Sequence, residues 1–167
     1  MYHYVRHGSE DSNLVEEMNT ENKRRARKLV VLFIVAVVLN YVWESAQAPL
    51  YAGLKSYNIV VFWHCLVASL GDGLMVMLIF AAGWIALHRW NWFEHPGRVE
   101  YLIMLSAGLA LAVSVEWIGV HITRRWEYTE SMPILPGIDL GIVPIAQMLV
   151  LPPLIFRIVT VGEKLAK

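Results

Sequence analysis

Apolar residues gather into four long runs, at positions 29–50, 59–87, 99–120 and 140–161, separated by short polar breaks. Each run holds at least the roughly 20 residues that a helix needs to cross a ~30 Å hydrocarbon layer. The pattern predicts an all-α fold, an integral membrane bundle of four transmembrane helices, with spans at about 29–50, 59–87, 99–121 and 140–161. Residues 1–28 then form a polar and basic cytoplasmic tail, 29–162 the transmembrane domain and 163–167 a second short cytoplasmic tail. Within the first tail, residues 1–22 read as mobile, turning helical from about Ser12. The first run starts too late and is too long for the apolar core of a cleaved signal.

Several residues mark the boundaries. Pro96 fits the first turn of span three, and Asp139 is placed to cap span four. Span two is long, so it tilts, protrudes or bends at Gly71–Asp72–Gly73. Trp90, Trp92 and Phe93, in the connection between spans two and three, suit an aromatic belt at headgroup depth. In span four, Pro152 and Pro153 withdraw the amide donors that would have met the carbonyls of Met148 and Leu149, so a kink with freed acceptors is expected.

Composition strengthens the membrane reading. The chain is 57% hydrophobic with a mean hydropathy of +0.48, where soluble domains hold about 45–50% apolar residues. The formal net charge is zero, which leaves no nucleic-acid footprint, but the cations are unevenly placed. Only Lys55, Arg124 and Arg125 fall on the side of the first and third connections; the other Lys and Arg residues lie on the side of the termini. The positive-inside rule therefore predicts cytoplasmic termini in a membrane that, with a chain of this type, is expected to be a prokaryotic cytoplasmic membrane. The basic run from Lys23 to Lys28 would meet anionic headgroups. The single cysteine, Cys65, excludes an intrachain disulfide and suits simple packing.

Ionisable residues inside a span are costly, about 2.5–3.5 kcal/mol on insertion scales, and persist when paired, hydrated or functional. At 1.5 Å per residue, Glu44 lies about 22 Å along span one and Glu116 about 25 Å along span three. His64 and Gln147 enter from the opposite side, about 9–10 Å down spans two and four. All four helices thus deliver a polar group to one layer in the outer half. Asn40, Glu44, Gln47 and Tyr51 share one face of span one, and Gly108, Ala112, Glu116 and Gly119 form a small-residue stripe on span three. Asp72 shares a broad face with His64 and is expected deeper, as an inner proton relay or a partner for Asn40.

These residues admit several readings. The polar layer is a packing device in the blandest. In a sharper one Glu116 and Glu44 form an acid–base pair, with His64 orienting them or shuttling a proton. Glu44, His64, Glu116 and His121 also have the donor chemistry of a metal site, though at no recognised ligand spacing, and His64 with His121 could hold haem. No cofactor is expected. Trp43 and Trp117 could wall a pocket. Arg124 and Arg125 read as a headgroup anchor or as an anion clamp.

The motifs "WESAQAPLY" with Glu44, "EHPGRVEY" before span three, "SVEWIGVH" with Glu116 and "QMLVLPPL" with Gln147 resemble, in their order, the EXPERA membrane domain of sterol isomerase-like proteins. The likeness spans most of the chain, from about Asn40 to Phe156. It departs where His64 and Asp72 replace a Met-Glu-Thr signature and Gln147 replaces an asparagine. The sequence also resembles small prokaryotic four-helix membrane proteins of no assigned activity. The resemblance to EXPERA implies a cavity for an apolar ring or isoprenoid molecule, with carboxyls moving protons. The expected partners are membrane lipids and an apolar small molecule, and homo-oligomerisation is compatible with the pattern. A small proton-coupled transporter subunit and a non-catalytic subunit or assembly factor are the alternatives; the first is weakened by the lack of an internal repeat.

Overall fold

A computed structural model describes residues 4–54, 56 and 58–165, with side-chain surroundings from residue 14 onward. Lys55 and Lys167, counted in the charge balance above, lie outside the described residues. The chain forms two compact units, Met1–Val31 and Leu32–Lys167. Its elements are four helices, α1 (Tyr4–Gln47), α2 (Ile59–Leu87), α3 (Arg98–Trp117) and α4 (Ile142–Leu165), and a two-residue hairpin of β1 (Ile134–Leu135) with β2 (Leu140–Gly141). All four helices are long and apolar enough to cross a membrane. Their outward residues are apolar too: Ile34, Val38, Val42, Leu78, Ile85 and Leu102 are all exposed. Such an apolar exterior suits hydrocarbon surroundings better than water.

In the first unit the helix starts at Tyr4, ahead of the expected start near Ser12. The sequence supports this locally. No proline precedes Pro49, and residues 14–28 are rich in Glu, Lys and Arg, which cost little in a helix. Glu21 pairs with Arg25 one turn on, and the Thr20 hydroxyl donates to the Glu16 carbonyl at 2.9 Å. Residues 23–27 are exposed as expected of a basic run, whereas Lys28 is buried.

In the second unit, α1 ends where Pro49 enforces a short 3₁₀ turn at Ala48–Leu50. Asn58 starts α2, its Oδ1 accepting from the amides of Val60 and Val61 at 2.9 and 3.1 Å. The helix then runs unbroken through Gly71–Gly73 to Leu87. Gly73 is a packing site: a Cβ there would lie 2.8 Å from Val37 on α1. Pro96 stands outside α3, whose N-cap is Gly97; Glu100 closes a capping box by accepting from the Gly97 amide at 2.9 Å and pairs with Arg89.

Helix α3 packs against both α2 and α4. Its small-residue stripe faces inward as expected, with Gly108, Ala112, Glu116 and Gly119 all buried. Helix α4 continues through Pro152 and Pro153. The carbonyl freed by Pro152 has a specific neighbour. A Cβ on Gly108 would come within 2.4 Å of the Met148 oxygen, so only a glycine lets α3 approach that acceptor. The approach suits a Cα–H···O contact.

The end of the bundle at the α2–α3 connection is dry and aromatic. Trp92 and Phe93 are not a belt; they are 1% and 2% exposed and pack on Phe156. Phe80 joins Phe93 edge-on, and Trp92 Nε1 donates to the Phe80 carbonyl at 3.1 Å. The Trp92 ring lies where a Cβ on Gly83 would be, 2.3 Å away. An indole with a buried hydrogen-bond partner is better placed inside than among headgroups.

Candidate functional site

At the opposite end, the connection after α3 folds back over the bundle. Helix α3 passes into a π turn at Ile118–Ile122, Arg124 adopts a left-handed backbone (φ 48°), and the Arg125 amide donates to the Gly119 carbonyl at 2.8 Å. This drops the Trp126 ring onto bare Gly119. The chain then pairs with the first connection. Tyr51 and Tyr128 form an antiparallel bridge, flanked by Ala52 N to Glu127 O and Thr129 N to Leu50 O, both at 2.9 Å. The hairpin and the buried Met132 complete this cover. Asp139 sits at φ 50° in the hairpin connection, two residues before β2 gives way to α4, so it does not cap that helix.

Beneath the cover lies a cavity of about 570 Å³. Its polar wall has two parts. The first joins α1, α2 and α4 around Gln147. Gln147 Nε2 donates to Asn40 Oδ1 and to Asp72 Oδ2, both at 2.8 Å. Gln47 Nε2 donates to Gln147 Oε1 at 3.1 Å and to Glu44 Oε1 at 2.6 Å, while Trp43 Nε1 donates to Gln47 Oε1 at 3.2 Å. The Glu44 and Asp72 carboxyls neighbour each other across α1 and α2. The second part is Glu116, whose Oε2 accepts from Tyr128 Oη and from Trp126 Nε1, the latter at 3.4 Å. Tyr128 Oη in turn accepts from the Gly141 amide at 3.0 Å.

Apolar residues supply the rest of the lining, among them Ala48, Leu54, Ala68, Met75, Ala112 and Met148. Val67 and Gly71 on α2 and Val115 on α3 are exposed members of the lining, so the cavity reaches the outer surface beside these helices. Exposed His64 and Arg125 also line it.

Most of the expected layer therefore meets. Glu44, Gln47, Tyr51, His64, Asp72, Glu116 and Gln147 all border one cavity. Asn40 and Trp43 stand behind it as hydrogen-bonded supports. Asp72 is not a separate inner relay, because its partners are the outer-layer residues Glu44 and Gln147. Trp117, His121 and Arg124 are exposed and do not line the cavity. His121 stacks on Trp117 and bonds the Ile138 carbonyl at 3.1 Å, which takes it away from Glu116 and from His64. The tetrad of Glu44, His64, Glu116 and His121 is thus not assembled as a metal site, nor are the two histidines paired for haem; among the described residues no group of three or more His, Cys, Asp or Glu side chains is placed to hold a metal ion. Tyr128 and Trp126 escaped the sequence reading as partners of Glu116. The available signal was Gly119 followed by two aromatic residues with polar tips within a short return.

Both loop tyrosines are held neutral. Burial pushes the Tyr51 hydroxyl well above the usual phenol range, with the negative charge of Glu116 adding to it. Burial does the same for Tyr128, and donating to Glu116 further favours its protonated form. Compared with protein-family models, with curated proteins and with solved structures, the chain matches none.

Proposed function

We propose that this chain is an integral membrane protein that takes a lipid- or isoprenoid-like apolar molecule into the cavity beside α2 and α3, and that Glu44, Asp72 and Glu116 give the site acid–base chemistry of the isomerase type. The observation that carries this reading is the cavity itself. Its volume of about 570 Å³ is in the range of small-molecule sites, and it combines apolar walls with three convergent carboxyls and an opening to the outer surface. Two neighbouring carboxyls, Glu44 and Asp72, beside the third of Glu116 are equipment for moving a proton at an apolar substrate. The resemblance to the EXPERA domain points the same way. In this reading both termini are cytoplasmic, and the basic run at Lys23 to Lys28 lies among anionic headgroups. The transporter alternative has less support, since the aromatic cluster of Trp92, Phe93 and Phe156 fills the other half of the bundle.

The test is to purify the protein from membranes in mild detergent, extract it with organic solvent and identify what remains bound. Wild type is expected to retain an apolar molecule near one per chain, and Ala68→Phe, which fills the cavity from the rim, to lose it. The same extract from both proteins would sink the reading.

A further inference from the structure

The hydrogen bonds around the cavity reveal what kind of polar group it can receive. Three carboxyls border it, each with about four lone-pair positions when ionised. The donors nearby are already committed. Both hydrogens of Gln147 Nε2 go to Asn40 and Asp72, and both of Gln47 Nε2 go to Glu44 and Gln147. Trp43 Nε1 is taken by Gln47, and Trp126 and Tyr128 both give their hydrogens to Oε2 of Glu116. That leaves Glu116 Oε1 with its acceptor capacity intact.

One deep donor remains. The Tyr51 hydroxyl borders the cavity and makes no hydrogen bond among the described residues. The remaining donor side chains, His64 and Arg125, are exposed at the mouth rather than deep in the site. The deep wall therefore offers a surplus of acceptors and a single hydroxyl. A buried acceptor left without a partner costs about 1–3 kcal/mol, so a ligand that brings a donor relieves a cost that an ether or ester would leave in place.

We infer that the ligand of this cavity carries a hydroxyl, which donates to the Glu116 or Glu44 carboxyl and accepts from Tyr51. An alcohol is the simplest group that satisfies both sides. A phosphate or carboxylate brings only acceptors and negative charge to a wall of carboxyls. This inference rests on the reading of the cavity as an apolar-ligand site and adds the chemistry of the ligand's polar end.

The test needs no variant to begin with. Farnesol, farnesyl methyl ether, farnesyl phosphate and farnesylamine share one skeleton and differ in their polar ends. Each is titrated into wild-type protein in lipid nanodiscs, with tryptophan fluorescence as the readout, since Trp126 lines the cavity. Farnesol is expected to bind saturably and at least tenfold more tightly than the ether and the phosphate. Tyr51→Phe should weaken farnesol several-fold and leave the ether unchanged, while Ala68→Phe abolishes both. Equal binding of alcohol and ether, lost together in Ala68→Phe, overturns the hydroxyl assignment but keeps the cavity reading. Tighter binding of the amine overturns it too, as does tight binding of the phosphate that Arg125→Gln removes. No saturable binding by any of the four overturns both.

Discussion

Around Gly83 the bundle closes on aromatic rings, and around Gln147 it closes on amides and carboxyls. In the first region Trp92 occupies the space a side chain at Gly83 would need, and the indole finds a carbonyl partner without leaving a gap. In the second, every helix brings at least one polar group, and a cavity of about 570 Å³ remains. Dispersion forces reward close approach and penalise any void, so the aromatic end gains most from filling its volume. Hydrogen bonds reward direction instead. Gln147 can bridge three helices while the space beside it stays open. The aromatic end is the part suited to holding the helices together, and the polar end is the part suited to receiving something.

Substitutions should separate these roles. Trp92→Ala should give the largest loss of stability, about 3–5 kcal/mol, from the cavity left at a fully packed aromatic site. Thermal unfolding in detergent measures it, and ligand retention below the transition should be untouched. If Trp92→Ala instead empties the cavity of ligand while barely shifting unfolding, the division of labour is wrong. Gly108→Ala should come next, at about 1–3 kcal/mol, because its Cβ would press on the Met148 backbone oxygen rather than on a side chain that can turn away. Tyr128→Phe removes the hydrogen bond to Glu116 at a cost of about 1.5–3 kcal/mol if the acceptor is charged. Its unfolding shift should be matched by faster amide exchange in residues 123–141, which the Trp92 variant should not show.

The smallest effect is in pH dependence. A phenol whose folded pKa is raised above its unfolded value near ~10 binds its proton more tightly in the native state. Tyr51 and Tyr128 should therefore contribute nothing to the pH dependence of stability across pH 6–9, and their contribution should be lost as pH rises above about 10. Ultraviolet titration of phenolate in the folded protein should show a late-ionising fraction. Tyr51→Phe and Tyr128→Phe should each reduce that fraction, and an unchanged curve in both would remove the claim that these hydroxyls are held neutral.

Helix number and spans two to four were legible in the sequence because hydrophobic length is a local property. The convergence of Glu44, Glu116 and Gln147 was legible for the same reason, since depth along a helix follows from counting residues. What escaped depended on chain direction outside the helices. His121 is one turn beyond Trp117 and lies exposed within the π turn, bonded to the Ile138 carbonyl, and no periodicity forecasts a π turn. Trp92 looked like a headgroup residue because its polar tip suits an interface. Only the bare surface at Gly83, nine residues away in sequence, makes room for it inside. Asp72 was placed too deep because counting along α2 gives a position along one helix and not which residues of the neighbouring helices it meets, here Gln147.

The bridge between Tyr51 and Tyr128 also sets a timetable. Tyr51 belongs to the first helical hairpin and Tyr128 to the second, so they leave the ribosome 77 residues apart in a chain made from one end to the other. Until α4 has been synthesised, Gln147 is missing, Asn40 and Asp72 lack the amide that bridges them, and the amide of Gly141 is not there to steady Tyr128. The binding chamber is therefore the last part of the molecule to be finished, and a chain stopped after α3 would own its three carboxyls without the room they surround.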